Sequence, residues 1–318
     1  MLNDNLITRQ IEEYILYKRS LGFKITIPAQ ELRRFAAFTR DIGHEGSLTN
    51  EIAVRWASLK ESYSRYYMAN RLGLLYTFAK YVIAFDSLAQ LPQNGIFGNT
   101  SRRVCPYVYR DDEVALLMDE AKRLFSPDGI RAHTVSAAIG LMRSTGLRVT
   151  ELTMLKITDV RLSEGYLYIE SSKYKKDRLV PLHPITIEKL KTYRDYVDSI
   201  LKQRSDLEYF FVSSYGHRFN YRSFDYAFSL IRAALSADSN CSITQNCRLF
   251  DLRHTFACGT IRGWLENGED VNQKIHLLST YMGHAKPEDT YWYLSATPEL
   301  LALSSSLYEA TFGMGVTE

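Results

Sequence analysis

Apolar residues recur every three or four positions through the first ninety residues, a spacing that predicts helices. Within Gln30–Ile42, for example, Leu32 and Phe35 fall on one face while arginines fall on the other. The amino-terminal region is therefore predicted to be a small domain of four or five helices. Four of them are predicted individually: Leu6–Arg19, Gln30–Ile42, a helix with Thr49 as its N-cap that ends near Leu59, and Tyr63–Phe85.

The pattern changes after residue 92, where prolines and glycines interrupt the periodicity. We interpret residues 93–110 as a linker between a helical domain at 1–92 and a second domain at 111–318. In the second domain, Tyr166–Ile169 and Leu179–Leu182 flank a lysine-rich turn, which predicts a β-hairpin. The predicted fold class is mainly α, with a small β-hairpin or sheet in the second domain. One helix is predicted to start at Asp111, and a proline-started tail helix is predicted over Thr297–Leu303. The other predicted helices of this domain are Thr134–Met142, Ile185–Lys202, Arg222–Ala234, Asp251–Leu265 and Val271–Met282.

Composition narrows the class of protein without indicating a function. A chain of 318 residues suits two domains. Its net charge of +3 is too small to predict nucleic-acid binding, so that argument depends on where the cations cluster. The four cysteines form no CxxC pair and have no metal-ligand spacing with histidine, so we expect a reduced, cytoplasmic protein without zinc. We see no signal peptide and no apolar run long enough to span a membrane.

Two arginines stand at the starts of predicted helices. Arg148 follows a glycine turn and has Glu151 one turn further on. It could stabilise the helix start, or it could bind a phosphate while Glu151 holds its orientation, since the planar guanidinium binds two oxygens at once. Arg253 has the same two interpretations. His254 lies between apolar neighbours, and we predict a core histidine whose hydrogen bonds are satisfied rather than a catalyst.

Further polar residues complete a possible catalytic set. A lysine at the tip of the hairpin 173–176 could reach a neighbouring groove and protonate a leaving oxygen, although a charged turn is usually a solvated surface. His284 precedes Tyr293, and Tyr291 is a rival to that tyrosine. Two arginines, a histidine and a tyrosine are together suited to attack on a phosphodiester.

The arginine, hairpin and histidine–tyrosine segments, in their order along the chain, resemble those of the tyrosine recombinases, the phage-integrase and Xer-type family of site-specific DNA recombinases. Thr145–Leu152 resembles the family's first arginine motif, and Leu252–Ala257 resembles its second. Ser172–Leu182 resembles the lysine hairpin of the family. The interval of nine residues from His284 to Tyr293 matches the usual spacing between its last histidine and its nucleophile.

The resemblance implies a catalytic set and a mechanism. Tyrosine would attack a DNA phosphate to give a 3′-phosphotyrosyl intermediate and a free 5′-hydroxyl, with no metal and no other cofactor. Glu151 and His254 would support the neighbouring arginines. Lys173 aligns with the family's hairpin lysine, and Lys175 and Lys176 remain alternatives. The implied catalytic residues are Arg148, Lys173, Arg253, His284 and Tyr293.

One position departs from the family pattern. The second arginine motif normally begins with a histidine three residues before the arginine, and here that residue is Phe250. A phenyl ring cannot donate a hydrogen bond to a phosphate oxygen. Losing one such donor typically lowers a rate by ~10²–10³. Three interpretations remain: an enzyme with one polar group fewer, partial replacement by Arg248, or loss of activity.

The resemblance also implies partners. We expect double-stranded DNA, a homotetramer on two duplexes, a possible accessory directionality protein, a role in DNA integration or mobile elements, and a cytoplasmic, nucleoid-associated location. The two domains would form a clamp, and the tail helix would dock on a neighbouring protomer. Alternative functions are a type IB topoisomerase-like enzyme and a non-catalytic DNA-binding protein on the same scaffold. The candidate phosphate contacts are Arg65, Arg71, Lys80, Arg102, Arg103, Lys175, Lys176 and Arg178.

Overall fold

A computed structural model of the chain describes residues 5–98, 105–170, 177–201, 207–237, 241–243, 246–284, 286–295 and 301–302. The chain divides into two units, Met1–Val104 and Cys105–Glu318, and each has a hydrophobic core of its own. The fold is mainly helical with one small sheet, as the sequence predicts. Among the described helices, none combines the length and the apolar character that crossing a membrane requires.

Side-chain caps mark the starts of helices in the first unit. Asn5 accepts a hydrogen bond from the backbone N–H of Thr8 at 3.0 Å, and Ser64 accepts one from Tyr67 at 3.2 Å. The predicted N-cap Thr49 is confirmed by its hydrogen bond from the N–H of Ile52. The described part of this unit contains four helices: α1 Leu6–Ser20, α2 Thr26–Asp41, α3 Asn50–Ala57 and α4 Arg65–Val82.

The core of the first unit contains Arg71, one of the candidate phosphate contacts. Arg71 of α4 is 5% exposed. Its guanidinium carbon lies 3.7 Å from the centroid of the buried Trp56 ring and 5.0 Å from that of Tyr63. A guanidinium stacks favourably on aromatic faces. The DNA contact of Arg71 stays a prediction, but the structure places this side chain in the core and not on an exposed surface.

The second unit surrounds its core with helices. Acidic residues begin α5, where Glu113 accepts a hydrogen bond from the backbone N–H of Arg110, an arrangement that suits the helix dipole. Two 3₁₀ turns, Ile157–Asp159 and Trp292–Ser295, connect other elements. The described helices are α5 Asp111–Lys122, α6 Ile130–Thr145, α7 Val149–Met154, α8 Pro184–Ile200, α9 Tyr221–Leu235, α10 Asp251–Glu266, α11 Val271–Met282 and α12 Glu288–Tyr291.

The predicted hairpin is part of a three-stranded antiparallel sheet. Its strands are β1 Val160–Arg161, β2 Tyr166–Ile169 and β3 Arg178–Pro181, in that spatial order. Leu167 of β2 pairs with Val180 of β3, and both side chains are buried. Because strand residues alternate between faces, Arg178 lies on the same face of β3 as Val180.

Three predictions need adjustment. The predicted linker is divided, because Phe97 packs against the helical core while Tyr109 is 2% exposed in the second unit and its N–H donates to Thr255 Oγ1 at 2.9 Å. Helix α6 extends beyond Thr134–Met142 at both ends. Of the predicted tail helix, the structure describes Leu301 and Ala302, both helical, and the rest lies outside the described residues.

Candidate active site

Two glycines in the left-handed conformation end the helices that approach the site. Gly146 ends α6 and Gly283 ends α11, each with φ of 63°. A Cβ at Gly146 would lie 2.4 Å from Cδ1 of Phe256, and one at Gly283 would lie 3.0 Å from Nη1 of Arg178. Both positions therefore require glycine for backbone conformation and for space. The turns leave carbonyl oxygens at the helix ends available to other donors.

The two motif arginines bind these carbonyls. Arg253, which is 1% exposed, donates to the oxygen of Gly146 at 2.7 Å and to that of Met282 at 2.6 Å. Arg148 donates to the oxygen of Gly283 at 2.6 Å. Burial, and then the nearby charge of Arg148, lower the pKa of Arg253 to about 10, so it is still protonated at neutral pH. Carbonyls at a helix carboxyl end carry partial negative charge and stabilise these cations.

Glu151 is the anion at the centre of the arginines. Its side chain is fully buried, and it accepts a hydrogen bond from Arg148 Nη1 at 2.7 Å. It also accepts one from Arg178 Nη1 at 3.0 Å and one from Nη2 at 2.8 Å. Burial alone would raise the pKa of the carboxyl, but the hydrogen bonds and charges of Arg178 and Arg148 outweigh it and lower the pKa to about 2. The predicted contact between Glu151 and Arg148 is thus present.

His284 joins the cluster through both ring nitrogens. Its Nε2 lies 3.1 Å from Arg253 Nη2, and its Nδ1 lies 2.6 Å from Oγ1 of the buried Thr290. A guanidinium has no acceptor, so Nε2 accepts and the ring proton is on Nδ1. Burial, and then the charges of Arg253 and Arg148, lower the pKa of His284 to about 4. The imidazole is therefore neutral at pH 7.

Tyr293 is packed against the two histidines. It is 2% exposed, and its ring centroid lies 6.2 Å from that of His284 and 5.5 Å from that of His254. Burial raises the pKa of its phenol, and the charge of Arg253 opposes that rise. The rival Tyr291 instead has its ring 6.1 Å from His276.

His254 is buried as predicted, at 9% exposure, but the prediction that its hydrogen bonds are satisfied is wrong. Its Nδ1 is buried without a hydrogen-bond partner among the residues that the structure describes. Burial, and then the charges of Arg248 and Arg253, lower the pKa of His254 to about 3. The Phe250 ring lies 4.8 Å from the His254 ring and is 43% exposed. Arg248 hydrogen-bonds to Asp251, with its Nη2 2.7 Å from Oδ1.

The predicted phosphate contacts other than Arg71 fall into three groups. Arg65 and Lys80 are exposed on α4. The side chain of Arg178 is 13% exposed and binds Glu151, so it is not a free surface cation, and its contact with phosphate stays a prediction. Strand alternation already indicates this burial, since Val180 on the same face is buried. Four candidates lie outside the described residues, as does the predicted catalytic Lys173: Arg102, Arg103, Lys175 and Lys176.

The site thus brings two arginines, a histidine and a tyrosine together from three separated segments, an arrangement suited to phosphodiester chemistry. Among the described residues, no group of three or more histidines, cysteines, aspartates and glutamates could hold a metal ion. This arrangement within a mainly helical two-unit chain agrees with the resemblance to the DNA recombinases that use a tyrosine nucleophile.

Comparison with known proteins identifies the family. Residues 108–299 match the phage integrase family. The protein named "Putative integrase/recombinase y4rB" from Sinorhizobium fredii is 31% identical over 296 residues, covering 92% of this chain and 93% of that protein. Tyrosine recombinase XerC from Chlamydia muridarum is 28% identical over 244 residues, covering 76% and 70%. The chain belongs to the phage integrase family of tyrosine recombinases, enzymes that cut and rejoin DNA.

A solved structure shares the fold. The XerH site-specific recombinase bound to palindromic difH substrate has a TM-score of 0.65 and 17% identity, with 91% of this chain and 80% of that chain covered.

Proposed function

We propose that this recombinase cuts DNA by joining Tyr293 to a backbone phosphate that Arg148, Arg253 and His284 bind. The convergence of these four side chains supports the proposal most directly. Arg253 Nη2 lies 3.1 Å from His284 Nε2, and the ring of His284 lies 6.2 Å from that of Tyr293. A phosphate beside Arg253 would thus be within reach of the other groups after a small rearrangement.

The chemistry is a transesterification in two steps. The phenol oxygen of Tyr293 attacks phosphorus, a tyrosyl O–P bond forms, and the bond from phosphorus to the 5′ oxygen breaks. The phenol loses its proton to solvent, and the departing oxygen takes up a proton. A 5′-hydroxyl then attacks the 3′-phosphotyrosine, which restores the phosphodiester and the free tyrosine. The number of phosphate esters is unchanged, so rejoining requires no external energy source.

The arginines stabilise charge that develops on the phosphate. In the pentavalent transition state, more negative charge resides on the non-bridging oxygens, and guanidinium N–H groups bind it most strongly at that stage. This is the contribution that metal ions make in many other phosphoryl transfers. By its resemblance to the hairpin lysine of the family, Lys173 supplies the proton to the 5′ oxygen.

Tyr293 must become accessible before it can attack. With 2% of its surface exposed, the phenol is packed among His254, His284 and Trp292. We propose that binding of DNA moves the Trp292–Ser295 turn outward. Such a step would couple cleavage to substrate binding and would protect DNA from unprogrammed cuts.

DNA binding would draw on cations of both units. Arg65 and Lys80 are exposed candidates on α4, and Arg102, Arg103, Lys175 and Lys176 are candidates from the sequence. The XerH site-specific recombinase, which has a similar fold, is bound to palindromic difH substrate, and this supports DNA as the partner. We further propose a homotetramer on two duplexes, a role in integration of a mobile element, a cytoplasmic, nucleoid-associated location, and possible control by an accessory directionality protein.

The test of this function is covalent trapping on DNA. The wild type, Tyr293→Phe and Tyr291→Phe would be incubated with nicked duplexes whose sequences were selected by binding from fragments of the source genome. A nick lets the cut fragment diffuse away, so the adduct accumulates and can be scored on a denaturing gel. We expect adducts from the wild type and from Tyr291→Phe, and none from Tyr293→Phe.

Other outcomes would favour the alternative functions. If the wild type binds DNA but forms no adduct, the chain acts as a non-catalytic DNA-binding protein, for which the phenylalanine at position 250 is the specific argument. If the wild type forms an adduct and relaxes a supercoiled plasmid without partner DNA and without strand exchange, a topoisomerase-like function replaces recombination.

A further inference from the structure

Arg178 makes more hydrogen bonds than a surface cation on a strand normally makes. Its Nε donates to the carbonyl oxygen of Tyr281 at 2.8 Å. Its Nη1 and Nη2 donate to the two oxygens of Glu151 at 3.0 and 2.8 Å. Three of its N–H groups are therefore used, and the side chain is 13% exposed. This bidentate fork is the geometry that distinguishes arginine from lysine.

Arg178 also completes a pattern at the end of α11. Three successive carbonyl oxygens there each accept a hydrogen bond from a different arginine. Tyr281 accepts from Arg178 at 2.8 Å, Met282 accepts from Arg253 at 2.6 Å, and Gly283 accepts from Arg148 at 2.6 Å. The position of one guanidinium is thus linked to those of the other two through a single short stretch of backbone, and His284 follows directly.

The charge balance explains why a second cation is needed at Glu151. Arg148 and Glu151 alone form a neutral pair, with Nη1 2.7 Å from the carboxylate, and a neutral pair attracts a phosphate weakly. When Arg178 shares the same carboxylate, the three groups together carry one net positive charge. Since the carboxylate is fully buried, solvent does little to screen this charge.

We propose that Arg178 is a positioning residue for the recombinase reaction. It holds Glu151 and the end of α11, so that Arg148 and His284 face the DNA phosphate. This inference rests on the proposed function. Arg178 does not need to touch the phosphate for this role, which depends on its contacts with Glu151 and with the backbone of Tyr281. It acts through Arg148, whose side chain is 21% exposed, and through the turn at Gly283.

The test separates positioning from DNA contact. The rate of covalent adduct formation on a nicked duplex would be measured in a single turnover at saturating protein for the wild type, Arg178→Lys and Arg178→Ala. DNA affinity would be measured in parallel as a function of salt. We expect Arg178→Lys to lower the rate by ~10², the effect of misplacing catalytic groups by about 1 Å, without changing the dependence of affinity on salt. Arg161→Lys, on the exposed surface of β1, is the matched control and should change neither quantity.

Chemical rescue provides a readout that a general loss of folding would not give. Added guanidinium ion should restore part of the rate of Arg178→Ala, while equal concentrations of sodium chloride should not. An unchanged rate in Arg178→Lys would overturn the proposal. A log–log slope of affinity against salt that falls by about one charge in Arg178→Ala would also overturn it, since that result indicates a phosphate contact.

Failure of the proposed function can be distinguished from failure of the inference about Arg178. If the wild type forms no adduct, the proposed function itself fails, and the catalytic part of this inference fails with it. A double-mutant cycle between Arg178→Gln and Glu151→Gln then still decides whether Arg178 holds Glu151. If Arg178 and Glu151 are coupled, the double variant should unfold in urea at the same midpoint as the less stable single variant. Losses in midpoint that add up in the double variant would overturn the contact.

Discussion

Glu151→Gln should strongly lower the stability of the second unit. The carboxylate is fully buried between two guanidiniums, and the change leaves both cations without their counter-ion. The carboxyl pKa is lowered from 4.5 to about 2, and about 1.4 kcal/mol per pKa unit converts this into about 3 kcal/mol of stability at neutral pH. Removing one partner of a buried ion pair typically costs a similar amount, about 3–5 kcal/mol.

The effect should depend on pH in a defined direction. Because the carboxyl pKa is lower in the folded chain, the stabilisation is fully present above pH 4.5 and is lost as the pH falls toward about 2. The difference in stability between the wild type and Glu151→Gln should therefore be constant from neutral pH down to about pH 5 and should shrink below it.

The assay is a urea titration read by hydrogen exchange of peptides from the second unit, so that unfolding of the first unit does not interfere. Asp198→Asn is the matched control, since Asp198 accepts two hydrogen bonds from Arg194 but its side chain is 53% exposed. An exposed pair contributes at most about 1 kcal/mol. A loss in Glu151→Gln no larger than that of the control would refute the reasoning, as would a difference that persists unchanged at pH 3.

Four further substitutions test other parts of the account. Phe250→His adds a donor at a half-exposed position and should raise the single-turnover adduct rate by ~10–10²; an unchanged rate would show that this position does not limit the enzyme. Arg71→Met should lower the thermal stability of the first unit and leave the salt dependence of DNA binding unchanged, whereas Lys80→Gln should lower the log–log slope by about 0.9; the reverse result would contradict both assignments. Without DNA the pKa of His284 is about 4. A bound phosphate should raise this pKa, because its negative charge favours the protonated imidazole. DNA affinity measured by fluorescence anisotropy should therefore increase from pH 7 to pH 5, more in the wild type than in His284→Gln; equal pH dependence would exclude His284 as the source.

Local signals predicted most of the helices. Helix α11 was predicted at its observed bounds, Val271–Met282, because the apolar period is clear and Gly283 ends it. The fold class and the family could also be predicted, since the arginine motifs occur in order. The strand β1 was missed because two residues, Val160 and Arg161, carry no recognisable period.

Two of the candidate phosphate contacts, Arg71 and Arg178, lie in buried places that the apolar pattern indicates. Arg71 shares a helical face with Leu75, Phe78 and Val82, which are all buried. The helical spacing of the apolar residues therefore indicates a buried position for Arg71. Arg178 likewise shares a strand face with a buried residue. The convergence of three arginines on the end of α11 could not be predicted, because two of the three contacts join residues more than one hundred positions apart.

The central claim is that Tyr293 forms the covalent bond to DNA, and identification of the modified residue tests it most directly. The adduct formed on a nicked duplex would be digested with nuclease and protease, and fragment mass spectra would locate the residual phosphonucleotide. The account predicts that it is attached to Tyr293. Attachment to Tyr291, or to any other residue, would contradict the account, as would an unmodified chain after exposure to a DNA that it binds.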